Sequence, residues 1–459
     1  MENHVIVIEF PWGRDKDPRV PLGHASLIST LDMVFKINYS SLIFPINEKS
    51  NSMIEDIIFK IEEILHSKSN YNVDIAIGAY VWAEDIMQIL LKIIKNNGFK
   101  GRIILGGPQI TYSGAGLEEI YPDADVFVRG YGELALLGIC QDRQNTPIMG
   151  VHYAGENDLC EQTIVDLEML PSPWLNQVIS LENQKFIRWE SQRGCPFRCG
   201  FCQHKEAGKR LKKTEFKSSR VFKEIDLFCN SGVKEIAVLD PIFNASSQSS
   251  SILKRFLDNN FKGKLSLQCR AEMCSDEFIE MASKLDVKLE FGLQTIHRNE
   301  GNAVGRINNI RKVNDVLQKV NERKIYFEVS LIFGLPEQTL DSFLETVDWC
   351  LKRNIPVIKA FPLMLLRGTD IEQRRKEWNL IESTHSMPTV IQSDTFSYVE
   401  WLEMYRISEA LKITESNHPK SIEELVVLSK NLKINYDRFR PNINLQTSNN
   451  TIQSMTAGE

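Results

Sequence analysis

Short, unbroken apolar runs alternate with amphipathic stretches through the first third of this chain. Val5-Ile6-Val7-Ile8, Asp74-Ile75-Ala76-Ile77, Arg102-Ile103-Ile104-Leu105 and Val126-Phe127-Val128 are β-rich and too apolar to present a wet face. That pattern predicts parallel strands covered on both sides. Between them, residues 85–96 place Ile86, Ile89, Leu90 and Ile93 at helical spacing. Alternation of this kind predicts an α/β unit over residues 1–145, an open, doubly wound parallel sheet. A ligand of such a sheet sits outside the carboxyl ends of the strands. The glycines Gly78, Gly106, Gly107, Gly130 and Gly132 fall there.

Residues 146–184 read as a connector, because Pro171-Ser172-Pro173 favours extended backbone over helix. From 185 to 372 a strand-then-helix pattern recurs six times. The expected strands are 186–189, 235–239, 265–268, 288–291, 327–332 and 357–361, with amphipathic helices such as 219–229 and 341–351 between them. Six such units predict a partial (β/α)6 barrel with chemistry at the carboxyl ends of its strands. Residues 373–459 read as a mainly helical region. Within it, 398–412 carries Leu402, Tyr405, Ile407 and Leu411 on one face, and the polar stretch from Asn442 reads as a disordered tail.

Cys195-Pro-Phe-Arg-Cys199-Gly-Phe-Cys202 lies just after the first expected barrel strand. Three thiolates on one short loop can hold three irons of a cubane and leave the fourth iron open. Gly194 and Gly200 supply backbone freedom around it. The alternative is zinc held by Cys195, Cys199, Cys202 and His204, although Cys202 and His204, one residue apart, are awkward as two ligands of one ion.

The spacing and the Phe before the last Cys resemble the radical S-adenosylmethionine (SAM) superfamily. The resemblance implies a 4Fe-4S cluster on Cys195, Cys199 and Cys202, with the cofactor's methionyl group on the open iron. The residues expected at the strand ends resemble the family's cofactor contacts: Asp240-Pro-Ile-Phe-Asn244, Arg270 with Glu272, Gln294-Thr295, Gly334-Leu-Pro-Glu-Gln-Thr339 and Arg367-Gly-Thr369. By that resemblance Asp240 and Asn244 contact the methionyl amine and Arg270 its carboxylate, since a guanidinium fork matches a carboxylate bidentately. Gln294 is the candidate for the ribose and Phe201 for the adenine. Glu272 and Glu290 read equally as salt-bridge partners.

The first block resembles the Rossmann-like cobalamin-binding domain found ahead of many radical SAM enzymes. The stretches that carry this are Pro21-Leu-Gly23-His24-Ala-Ser-Leu27, Tyr80-Val-Trp82, Leu105-Gly106-Gly107-Pro108 and Arg129-Gly130-Tyr-Gly132-Glu133. Gly23, Gly106, Gly107, Gly130, Gly132 and Glu133 are its candidate cobalamin contacts. No D-x-H-x-x-G run is present, so His24 reads as a hydrogen-bonded loop histidine rather than a cobalt ligand. Trp82 is placed near the lower cobalt face, or else in the core. The block has no Cys before Cys140, which excludes the second cluster of the methylthiotransferases.

Net charge is −6, which argues against a broad nucleic-acid surface, and the basic residues 209–213 read as a solvated face. No apolar segment approaches the span of a bilayer, and no signal peptide is recognised at the start. Three of nine Cys lie in one loop, which fits a reducing cytoplasm.

The resemblance thus implies a cytoplasmic, cobalamin-dependent radical SAM enzyme. It would generate a 5′-deoxyadenosyl radical, draw electrons from a donor such as flavodoxin or ferredoxin, and C-methylate an unactivated carbon of a small molecule or peptide. The alternatives are a cyclisation or rearrangement with cobalamin in a non-methylating role, and a cluster-bearing sensor or scaffold without turnover.

Overall fold

The computed structural model describes residues 2–34, 37–47, 53–203, 213–385, 387–436 and 439. The first sheet contains β1 (Asn3–Glu9), β2 (Ile37–Ile43), β3 (Asn72–Gly78), β4 (Ile103–Gly106), β5 (Val126–Val128) and β6 (Val151–Tyr153). Their order is β2-β1-β3-β4-β5-β6, parallel except for the β5–β6 pair. Strand order reverses direction between β1 and β3, and a crevice opens at such a switch point.

Two of these strands are absent from the sequence reading. β2 (Ile-Asn-Tyr-Ser-Ser-Leu-Ile) is an edge strand with one half-wet face, so it lacks the apolar run that marks its neighbours. β6 lies inside the segment read as a connector and pairs antiparallel with β5. The helix read over 85–96 forms at Glu84–Asn96, but its buried face is Met87, Leu90, Leu91 and Ile94. Ile89 is 46% exposed. Two overlapping apolar faces were available, and the sheet takes the one centred on Leu90.

The second sheet is formed by β7 (Phe186–Trp189), β10 (Glu235–Val238), β11 (Lys264–Cys269), β12 (Asp286–Gln294), β13 (Tyr326–Phe333) and β14 (Val357–Pro362). A short antiparallel pair, β8 (Gln192–Arg193) and β9 (Thr214–Glu215), flanks the cysteine loop. The six long strands are parallel and run in sequence order across the sheet, an open barrel. Along β12 the odd positions Val287, Leu289, Phe291 and Leu293 are buried in the apolar core, while Lys288, Glu290 and Gln294 occupy the other, concave face. There Lys288 Nζ lies 2.7 Å from Glu290 and 3.2 Å from Glu328, and Lys359 lies 2.7 Å from Glu328. Glu290 is therefore a member of a salt-bridge ladder.

The loop after β1 reaches across to the barrel. Lys16 pairs with Glu235 at 2.9 Å, and Asp17 accepts from Arg188 at 2.8 Å. The C-terminal region adds the helices Tyr398–Ile413 and Ile422–Lys430. Trp401, Tyr405, Ile407 and Leu411 of the first are buried, and Leu402 packs at the rim of that core. No described helix is long and apolar enough to cross a membrane. His204, residues 209–212 and the stretch from Asn442 lie outside the described residues.

Candidate functional site

The cysteine loop begins where β7 ends. Asp240, at the end of β10, accepts from Ser191 N at 2.7 Å, Ser191 Oγ at 2.5 Å and Gln192 N at 3.2 Å. Burial pushes its carboxyl up to about 7 against the pull of those donors. Asp240 thus holds the start of the loop. Asn244 is engaged in the same way. Its Oδ1 accepts from Arg270 N at 3.0 Å, and its Nδ2 donates to Arg270 O at 2.9 Å and Cys274 Sγ at 3.2 Å. Buried strand-end loops must satisfy their own backbone groups, and these two polar side chains do so.

Gly194 has φ +79°, a turn that aims Cys195 inward. Further along, Gly200 N donates to Val304 O at 2.7 Å, Gly200 O accepts from Ile371 N at 3.1 Å, and Cys202 N donates to Cys199 O at 3.0 Å. Cys195 is buried, while Cys199 and Cys202 are half-buried. Burial pushes the Cys195 thiol up, and Cys199 adds to the rise; the Phe197 amide and the guanidinia of Arg306 and Arg270 oppose it. Among the described residues, no three His, Cys, Asp or Glu side chains converge on a single ion. A cubane instead requires each thiolate to meet a different iron.

Arg306 was not read from the sequence. It is buried, its Nη1 lies 4.0 Å from Cys199 Sγ, its Nη2 donates to Gly292 O, and its Nε has no partner. It forms no salt bridge among the described residues. A buried, part-unpaired cation beside the Cys199 thiol calls for an anionic group, which a thiolate-ligated cluster supplies. Arg270 stands on the other flank, its guanidinium 4.1 Å from the centre of the Phe197 ring. Its Nε donates to Glu272 at 3.3 Å and its Nη2 to Ile307 O at 3.0 Å.

Gln294 sits at a bulge in β12 with φ +68°, a left-handed conformation that costs a non-glycine residue about 1–3 kcal/mol. Its Oε1 is buried without a partner. A strained residue presenting an orphan acceptor at a strand end suits a hydroxyl-bearing ligand. Phe201 packs half-buried against the barrel core.

At the carboxyl edge of the first sheet lies a cavity of about 340 Å³. Its walls are apolar (Val7, Ala76, Ile77, Ile104, Val128, Leu136), and it opens onto Glu190, Arg193 and Leu239 of the barrel. Gly23, Gly106, Gly107, Gly130, Gly132 and Glu133 all line it. Gly107 has φ +99°, and a Cβ there would stand 2.9 Å from Ala79 O, so only glycine fits.

His24 also lines the cavity, from the helix Leu22–Leu31 rather than a loop. Its Nε2 is hydrogen-bonded to Ser41 Oγ at 2.7 Å, and burial lowers its pKa to about 4. Trp82 is not in the wall. Its Nε1 donates to Phe10 O at 2.8 Å, and its ring stacks at 4.8 Å on Tyr80, which does face the cavity. The strand end thus presents a phenol there, with the indole one ring behind it.

Glu9, beside Tyr80, was also missed. Burial pushes its carboxyl up to about 7, against a hydrogen bond from Tyr80 that pulls the other way. A carboxyl raised from 4.5 to about 7 lends stability that is full below pH 4.5 and lost as pH rises through 7, about 3 kcal/mol in all. Glu9→Gln should therefore melt close to wild type at pH 5 and be more stable by about 2–3 kcal/mol at pH 8.5. Asp240 titrates in the same range in both proteins and cancels from the difference. Thermal melts at the two pH values check this, and an equal offset at both would mean that Glu9 does not titrate.

Residues 189–350, the span from β7 through the cysteine loop to the helix before β14, match the Radical SAM superfamily profile. That span is a radical SAM domain. It is 23% identical over 332 residues to the cobalamin-dependent radical SAM methyltransferase TokK of Streptomyces tokunonensis, covering 66% of this chain and 48% of that one. The chain thus spans about half the length of the curated relatives it matches first.

Two solved structures share the fold. The cobalamin-dependent S-adenosylmethionine radical enzyme OxsB, solved with aqua-cobalamin, superposes with TM-score 0.67 at 15% identity, over 94% of this chain and 71% of that chain. The radical S-adenosylmethionine methyltransferase TsrM of Kitasatospora setae, solved with cobalamin and a 4Fe-4S cluster, gives 0.64 at 14% identity, over 88% and 82%. The likeness extends well beyond the matched barrel span.

Proposed function

We propose that this chain is a cobalamin-dependent radical SAM methyltransferase acting on an unactivated carbon of a small molecule or peptide. The observation that carries the reading is the shared chamber. The sheet-edge cavity opens onto Glu190, Arg193 and Leu239, and Arg193 is two residues from Cys195. When bound, a 4Fe-4S cluster with S-adenosylmethionine supplies radical chemistry, and cobalamin supplies a transferable methyl group.

In this reading Cys195, Cys199 and Cys202 hold the cluster, and Arg306 and Arg270 offset its negative charge. Gln294 Oε1 accepts from a ribose hydroxyl, and Phe201 lies against the adenine. Arg270 still has charge to offer a carboxylate at the loop. Asp240 and Asn244 fix the two loops that carry these groups. Gly106 and Gly107 let the sheet edge approach a flat macrocycle, and the apolar walls exclude water. The salt-bridge ladder of Lys288, Glu290, Glu328 and Lys359 gives the concave face fixed charges of both signs for a polar substrate. An external donor such as flavodoxin or ferredoxin delivers the electrons.

The test is anaerobic turnover of reconstituted protein with hydroxocobalamin, a reductant, S-adenosylmethionine labelled on its methyl group, and small-molecule and peptide extracts of the source organism. The reading expects 5′-deoxyadenosine together with a labelled product. Deoxyadenosine without label in any product favours a cyclisation or rearrangement, and no deoxyadenosine at all leaves a scaffold.

A further inference from the structure

Both ends of the cysteine loop are tied to the first sheet by an arginine and a glutamate. At the leading end, Arg193 Nη1 lies 2.7 Å from Glu133 Oε1, while its Nε and Nη2 hold Glu190 at 3.1 and 2.8 Å. Burial would raise the Glu133 carboxyl, but Arg193 outweighs it and holds it below its ordinary value. Ser26 Oγ fixes the same carboxylate at 2.9 Å.

At the trailing end, Gln203 Nε2 donates to Arg367 O at 2.9 Å. The side chain of Arg367 crosses to the first sheet. Its Nη2 lies 3.1 Å from Glu84 Oε1, and its Nη1 donates to Tyr121 at 2.5 Å. Glu84 is itself fixed by Tyr121 at 2.8 Å and Gln109 at 3.1 Å. A side chain at Gly368 would collide with Tyr112 O, so this approach is close-packed. The loop could have been anchored wholly within its own barrel. Instead its two flanks run to two points of the cavity-bearing sheet edge, the leading one after β5 and the trailing one after β3, with β4 between them.

We propose that Arg193–Glu133 and Arg367–Glu84 are paired latches that couple order in the cysteine loop to occupancy of the sheet-edge cavity. The proposal rests on the reading that this cavity takes cobalamin. Arg193 and Glu133 both line it, so a ligand there would cover the remaining exposed edge of the ion pair and strengthen it. Glu84 opens the helix that follows Tyr80 and Trp82, so a ligand pressed on Tyr80 steadies the second latch. Coupling of this type is reciprocal and amounts to about 5- to 150-fold between two sites.

Backbone amide exchange over residues 193–203, read by mass spectrometry on full-length, cluster-free protein with and without saturating hydroxocobalamin, tests it. In wild type, hydroxocobalamin should slow exchange of this segment about tenfold, with β12 as the unaffected reference. In Glu84→Gln and in Glu133→Gln, each saturated with hydroxocobalamin, that slowing should fall below about twofold. Arg367→Lys keeps the charge but loses the fork and should give an intermediate value, which covers the case that a glutamine variant does not fold. Hydroxocobalamin retained by wild type with no slowing, or slowing unchanged in the variants, overturns the latches and leaves the cofactor reading standing. Failure of wild type to retain hydroxocobalamin overturns both.

Discussion

Cys195→Ala, Cys199→Ala and Cys202→Ala should each reduce iron uptake from about four atoms per chain to near zero on anaerobic reconstitution, with loss of the cluster's visible absorbance. The expected effect is all-or-none because the loop brings three thiols and no fourth protein ligand among the described residues. Removal of one leaves two thiolates for four irons. The fold should persist, since the loop is held by other groups: Asp240 on Ser191, Val304 and Ile371 on Gly200, and Arg367 on Gln203. Circular dichroism of the apo variants should therefore overlay wild type. Zinc uptake without iron, in protein handled free of oxygen, would contradict the cluster and the radical chemistry with it.

The sequence and the structure agree where a single strong physical signal decides the outcome. All six long barrel strands were legible because each is a short apolar or alternating run between amphipathic helices, and the cysteine loop was legible from spacing alone. β2 was not, because an edge strand needs only one dry face. The glycines of the cavity wall were readable because backbone approach leaves a mark in sequence, whereas Glu9 sits at the end of an apolar strand and looks like an ordinary terminal carboxylate. Asp240 and Asn244 sit at the expected strand ends, but sequence does not show that each also holds neighbouring backbone. Arg306 is the opposite case. Nothing in Val304-Gly305-Arg306 marks it, and only folding brings it beside Cys199 with an unpartnered Nε. Function-bearing polar residues are legible when they bear a spacing, and illegible when tertiary structure alone gives them their partner.

Gly23→Leu should abolish most cobalamin binding while leaving the protein at least as stable as wild type. Gly23 lines the cavity, and a Cβ placed on it meets no atom within 4 Å, so a longer side chain has open space to enter. It lies in the helix Leu22–Leu31, where leucine is favoured over glycine by about 1 kcal/mol. The new side chain costs the empty protein nothing in packing, but it occupies volume a ligand needs. Overpacking of that kind is worth about 1–3 kcal/mol, so hydroxocobalamin affinity should fall about 5- to 150-fold. Iron uptake should be unchanged, because the cysteine loop is not touched. Gly232→Leu is the control, as a Cβ there also meets nothing within 4 Å but the position is outside the cavity wall. In the wild-type complex, the Co(II) resonance should show no imidazole nitrogen splitting, since the chain has no D-x-H-x-x-G run; His24 Nε2 is held by Ser41, and the unpartnered Nδ1 is the nitrogen this measurement tests. His24→Ala should accordingly keep cobalamin. Wild-type affinity in Gly23→Leu would move the cofactor away from this cavity, and a nitrogen splitting lost in His24→Ala would put the histidine on cobalt.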